Sequence, residues 1–166
     1  MEVRPGGRED LPLIAKLIRG LAEYEKLSSE ARFTEADLER TLFGRRRFAE
    51  TLLAFEGEEA AGIAIYFFTY STFLGQPCLY LEDLFVLPEM RKRGAGRLLF
   101  RRLIEIAERE QCGRMEWSVL DWNQPAIQFY EQIGAQAQKE WVRYRLDRKQ
   151  IEALSRSQIQ VGGENS

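Results

Sequence analysis

The run LYLEDLFVL, Leu79 to Leu87, constrains the fold more than any other stretch of the chain. It has the length and apolar content of a buried strand, and it stops at Pro88, where a sheet ladder would lose a backbone donor. A basic turn containing Arg91 to Gly96 follows and opens directly into a helical pattern from Arg97 to Glu110. In that pattern Leu99, Leu103 and Ile106, with the neighbouring Leu98, share one face, while Arg101, Arg102, Glu105 and Glu108 take the other. A strand running at once into an amphipathic helix needs a sheet with that helix laid over it, which makes the chain a layered α/β protein.

The remaining segments fit such a layer. VRP near the N-terminus is a short strand, and Asp10 is placed to cap a helix in which Leu11, Ile14, Leu17, Ile18 and Leu21 recur at helical spacing until about Tyr24. Thr34 and Asp37 form a capping box before Leu38 and Leu42, and this second helix ends near Phe43 and Gly44. Strands over Phe48 to Phe55 and Gly62 to Tyr70 flank a turn at Glu56 to Glu59, and a further turn at Leu74 to Pro77 leads to the central strand. Met115 to Leu120 is another strand, Asn123 caps a helix through Ile133 that ends on Gly134, and Trp141 to Leu146 is expected to close the sheet. The order is β-α-α-β-β-β-α-β-α-β. With 166 residues, 45% of them hydrophobic, the chain can bury one core. We therefore expect a single domain over residues 1–154, with 155–166 a poorly ordered C-terminal tail.

Composition removes several chemistries. The chain has no histidine and two cysteines, Cys78 and Cys112, so neither a structural zinc site nor a histidine-dependent triad can be assembled. A net charge of -2 and a pI near 5.5 argue against non-specific nucleic-acid binding, which draws on clustered Lys and Arg. No apolar run approaches the roughly 18 residues of a membrane span, and MEVRPGG lacks an apolar signal core, so the expectation is a cytoplasmic protein acting on small molecules.

The Arg91 to Gly96 turn can bind an anion. Backbone N–H groups at a helix N-terminus face outward without acceptors, and glycines at 94 and 96 let a phosphate approach closely. On the residues alone, a tight turn without any ligand explains the same pattern equally well. The Walker pattern is absent, and the Rossmann pattern lacks its third glycine. Arg91-Lys92-Arg93-Gly94-Ala95-Gly96 nevertheless resembles the R-x-x-G-x-G/A signature of the GNAT superfamily of N-acetyltransferases. YEKL, YFFTYSTFLG, YLEDLFV, LDWNQPAIQFYEQIGA and Trp141 extend the resemblance from about Val3 to Leu146. Together they are similar to its diamine acetyltransferase branch, which includes spermidine/spermine and thialysine acetyltransferases.

That resemblance implies a mixed, mostly antiparallel sheet flanked by helices, acetyl-coenzyme A as co-substrate, no metal, and a homodimer. It implies that the backbone of Leu84, Phe85 and Val86 pairs with the pantetheine arm and that Arg91, Lys92, Arg93, Gly94, Ala95 and Gly96 hold the pyrophosphate. Asn123 and Tyr130 would lie near the thioester, with Tyr130 as the acid, and Tyr24, Glu25, Glu82 and Asp83 would face the amine. LDWNQ looks more like the thialysine branch. The stretch from Gly134 to Trp141 is shorter than in animal spermidine/spermine enzymes, with Glu140 only loosely replacing an acidic residue there. Lysine-like amines and small diamines therefore stand beside polyamines as candidate substrates.

Chemistry asks for the same residue types. An ammonium of pKa about 10.4 is neutral in roughly one molecule in 2500 at pH 7, so a base must take its proton before it attacks an acyl group. Without histidine, that base is a carboxylate, a tyrosinate or a water held by one. Glu82 interrupts an apolar strand, where desolvation would raise its pKa, and is the expected base. Asp83, adjacent on a regular strand, should point to the opposite face and be satisfied by a backbone or arginine contact. A phenol can return a proton to a departing thiolate, which fits Tyr130, although its helical spacing alone reads as a core tyrosine. The expected function is acetyl transfer to a small cationic amine by direct attack in a ternary complex. A non-catalytic acyl-coenzyme A sensor and a peptide or protein N-acetyltransferase are the alternatives.

Overall fold

The structure, a computed structural model, describes residues 1–157. These form two compact units that meet in sequence between Ser118 and Val119.

The first unit is built on a five-stranded sheet whose spatial order is the chain order: β1 (Glu2–Pro5), β2 (Glu50–Glu56), β3 (Glu59–Ser71), β4 (Gln76–Val86) and β5 (Arg114–Trp117). The first three pairings are antiparallel and β4–β5 is parallel, giving the mixed, mostly antiparallel sheet that was expected. Helix α1 (Leu11–Tyr24) buries Ile14, Ala15, Leu17 and Leu21, the positions predicted from spacing. Helix α2 (Glu35–Leu42) starts at the capping box: the Asp37 N–H donates to Thr34 Oγ1 over 3.2 Å and the Thr34 N–H donates to Asp37 Oδ2 over 3.0 Å. Both helices cover one sheet face, where Leu53, Ile63, Ile65 and Phe85 pack with Ile14, Leu17, Leu21 and Leu42. Helix α3 (Ala95–Arg109) covers the other face with buried Leu99, Phe100, Leu103 and Ile106.

One irregularity in the sheet positions the site. Ile65 pairs with Asp83, and the next residue, Tyr66, pairs with Leu81, so Glu82 is an extra residue in β4, a β-bulge. Residues paired across a ladder share a face. Leu81 therefore follows Tyr66 toward α3, and Asp83 follows Ile65 toward α1, although a regular strand would put Leu81 and Asp83 on the same side. The β4–β5 pairing also ends here, at Leu81 opposite Trp117, while β4 runs on to Val86. From the bulge onward, β4 has an edge that β5 does not cover.

In the second unit, α4 (Gln124–Gln132) begins after Asn123 and is followed by Gly134 at φ 87°, close to the predicted limits. Helix α5 (Arg148–Arg156) opens on a capping box of Asp147 and Gln150 and takes in Ser155 and Arg156. Ser157 follows as the C-cap, and the remainder of the predicted tail, residues 158–166, lies outside the described residues. Two expectations need correction. Trp141 to Leu146 forms no strand, and Trp141, Val142 and Tyr144 are largely exposed. Alternation gives strand propensity, but a strand also needs a partner, and no described strand pairs with this segment. The strand expected over Met115 to Leu120 ends at Trp117.

The β3–β4 pair leaves no room for a side chain at Gly62, opposite Val86. A Cβ on Gly62 would stand 2.4 Å from the Phe85 carbonyl oxygen, which is backbone and cannot rotate away. Gly62→Ala should therefore destabilise the protein by about 1–3 kcal/mol, read as a lowered midpoint in chemical denaturation at an unchanged slope.

Candidate active site

Three carboxylates gather where α1 meets β4. Glu25 is the C-cap of α1, where the helix dipole opposes a negative charge, and the chain leaves the helix through Lys26 at φ 60°. Burial pushes the Glu25 carboxyl above the usual range. Asp83 is raised further, to about 6, first by burial and then by the negative charges of Glu82 and Glu25. Glu82, in the bulge, is exposed. The desolvation expected for Glu82 thus falls on Asp83, because the bulge turns the neighbouring residue inward. The backbone or arginine contact expected for Asp83 is also absent: among the described residues no ion pair or side-chain hydrogen bond reaches Glu25, Glu82 or Asp83. An acidic group without an internal cation attracts an external one.

The basic turn lies at the end of the same strand. Gly94, at φ 94°, is the N-cap of α3, and this left-handed conformation favours glycine. The first-turn N–H groups of Ala95, Gly96 and Arg97 have no intrahelical acceptor, and a Cβ built at Gly94 would meet nothing within 4 Å, so the approach is open. Lys92 and Arg93 are exposed beside it. Arg93 donates to Glu56 Oε2 over 2.6 Å. Arg91 donates from Nε to the Val86 carbonyl over 3.2 Å and lies over the ring of Tyr24. The links to Glu56 and Tyr24 were not legible in the sequence, since each joins segments far apart in the chain. Leu84, Phe85 and Val86 occupy the uncovered stretch of β4, so the turn, the open edge and the carboxylates line one strand end.

Two predicted residues belong to the second unit. Asn123 stands at the N-cap of α4 without a side-chain cap hydrogen bond. Tyr130, in α4, is partly buried, which pushes its phenol up, and its ring is 5.5 Å from that of Phe129. No cluster of three or more potential metal ligands occurs among the described residues, and no described helix is long and apolar enough to cross a membrane.

The chain belongs to the acetyltransferase (GNAT) family, whose sequence profile matches residues 18–135, and it is an acetyltransferase. Enzymes of this family take the acetyl group from acetyl-coenzyme A. Among relatives, it is 32% identical to thialysine N-epsilon-acetyltransferase of Mus musculus, over 92% of this chain and 96% of that one. It is 31% identical to L-ornithine N5-acetyltransferase of Arabidopsis thaliana, over 90% and 86% respectively. Among solved structures, an integron cassette protein from the mobile metagenome of V. cholerae superposes with a TM-score of 0.78 at 26% identity, over 94% of this chain and 98% of that one.

The residues present fit the co-substrate: open N–H groups, a glycine turn and exposed cations suit a pyrophosphate, and an uncovered strand edge suits an amide-bearing arm. Gly94→Val should weaken coenzyme A binding by tenfold or more in calorimetric titration, because a β-branched residue disfavours positive φ and its side chain occupies the open approach. Asp83 gives a test of the electrostatics. Its folded pKa, about 6, lies above the ordinary 3.8, so its charge costs nothing below about pH 4, costs increasingly up to pH 6, and costs most above that. Asp83→Asn should therefore stabilise the protein at pH 7–8 by of order 1–3 kcal/mol and leave it unchanged near pH 3.5, measured by denaturation at both pH values.

Proposed function

We propose that this acetyltransferase acetylates a primary amine on a small cationic substrate, with a lysine-like or diamine side chain favoured over a long polyamine. The observation that carries the reading is the group of Glu25, Glu82 and Asp83, with no cation paired to it among the described residues, at the end of the β4 edge that β5 does not cover. The names of the thialysine and ornithine acetyltransferase relatives support it, since both describe amino acids with a terminal side-chain amine.

Acetyl-coenzyme A, when bound, supplies an activated acyl carbon and a thiolate leaving group. Lys92, Arg93 and the first-turn N–H groups of α3 hold its pyrophosphate, with Arg91, and Leu84 to Val86 offer backbone groups to its arm. Glu82, exposed at the bulge, and Glu25 draw in the ammonium. Asp83 is the better base of the neighbouring pair, because a carboxyl at about 6 holds a proton about two units more readily than an ordinary one. An Asp83 oxygen accepts the ammonium proton, and the freed nitrogen attacks the acyl carbon directly in a ternary complex, forming the C–N bond as the C–S bond breaks and losing its second proton to solvent. The Tyr130 hydroxyl donates a proton to the departing sulfur, and Asn123 helps orient that end.

A cytoplasmic homodimer completes the reading. The exposed Tyr70, Phe73 and Leu74 around the β3–β4 hairpin favour self-association, because soluble monomers seldom expose such side chains together.

The deciding experiment is release of free thiol from acetyl-coenzyme A across a panel of lysine, thialysine, ornithine, short diamines, spermidine and neutral or acidic amines. Turnover should concentrate on the cationic amino acids and short diamines; preference for neutral or acidic amines would overturn the substrate class. With the best amine, kcat should fall below about pH 6 as Asp83 protonates, and Asp83→Asn should lose about 10²- to 10⁴-fold in kcat together with that acid limb. If Glu82→Gln suffers the larger loss and removes the limb, Glu82 is the base.

A further inference from the structure

Tyr24, assigned above to the amine end, also reaches the phosphate turn. Gly20 and Tyr24 lie one turn apart on the last part of α1 and pack against Phe85 in the uncovered stretch of β4. The rings of Tyr24 and Phe85 are 6.4 Å apart at 47°, and a Cβ on Gly20 would stand 3.1 Å from the Phe85 ring, so this contact is close. The Arg91 guanidinium lies 4.4 Å from the centre of the Tyr24 ring, within cation–π range. Its Nε donates to the Val86 carbonyl, which fixes the plane of the group from the strand side.

This arrangement suits an arginine that must also meet an oxyanion. Stacking uses the flat face of a guanidinium, whereas oxyanions bind its N–H groups in the plane. With its central carbon over the Tyr24 ring and Nε on the Val86 carbonyl, Arg91 keeps its terminal nitrogens for phosphate oxygens. An exposed arginine without such supports would have to give up its rotational freedom at the moment of binding. We infer that Tyr24 is a positioning residue for the phosphate turn, holding Arg91 in place so that α1 helps set affinity for the acyl carrier as well as for the amine.

The inference rests on acetyl-coenzyme A being the co-substrate, and its test needs no turnover. Free coenzyme A is titrated calorimetrically into wild type, Tyr24→Phe, Tyr24→Leu, Arg91→Met and the Tyr24→Leu/Arg91→Met double variant. Tyr24→Phe, which keeps the ring, should bind within about twofold of wild type, and Tyr24→Leu should bind about 3- to 10-fold more weakly. Arg91→Met should lose at least as much, and the double variant no more than Arg91→Met alone, because the ring acts through the arginine. Wild-type affinity in either Tyr24→Leu or Arg91→Met would overturn the inference. So would a Tyr24→Leu loss that persists in full in the Arg91→Met background. If Tyr24→Leu fails to melt cooperatively, Tyr24→Gln takes its place in the same cycle. Failure of the wild-type protein to bind coenzyme A would strike at the co-substrate reading itself, a result distinct from any of these.

Discussion

One extra residue in β4 determines how the site is arranged. Without the bulge at Glu82, a continuous β3–β4 ladder would put Asp83 on the α3 face, opposite Ala64 rather than Ile65. The bulge reverses that alternation for everything after it. It sends Asp83 and Phe85 toward α1, and Leu84 and Val86 toward α3. It also coincides with the last β4–β5 pair, which fits the bend and added twist that bulges introduce. A desolvated carboxylate, an uncovered strand edge and the contact between α1 and β4 all follow from this local irregularity.

Much of the layering was legible in the sequence because it rests on periodicity. The α1 and α3 stripes, the Thr34–Asp37 box and the Gly94 turn are local patterns, and each is present in the structure. The bulge was not legible, since LYLEDLFVL reads as a regular strand and only the pairing with β3 shows that Glu82 is surplus. That is why burial was expected at Glu82 and is found at Asp83. The expected strand from Trp141 to Leu146 failed for a related reason: strand formation depends on an available neighbour, which propensity does not report. The link from Arg91 to Tyr24 joins residues 67 apart in the numbering, and no motif connects them.

The carboxylate group also shows where stability and chemistry pull apart. Arg4 and Asp10 show the usual outcome: the guanidinium donates to both Asp10 oxygens, at 2.6 and 2.7 Å, and the Gly7 N–H donates at 2.7 Å, holding that carboxyl well below the ordinary range. Among the described residues Asp83 has none of these partners, and two further negative charges stand near it. The fold stabilises one aspartate as an anion and leaves the other ready to take a proton. With no histidine in the chain, that contrast between carboxylates is one means of placing a proton acceptor near neutral pH.

The sheet order carries a kinetic consequence. Its spatial sequence repeats the chain sequence, and β2, β3 and β4 follow one another through short turns, so the centre of the sheet is two successive hairpins. Hairpins close short loops and form in microseconds, whereas the parallel β4–β5 pairing must wait for α3 to cross over. The β3–β4 hairpin contains the bulge and so sets the direction of Asp83 by itself. The orientation of that carboxylate can be fixed early, as a local event, before the last strand of the sheet is in place.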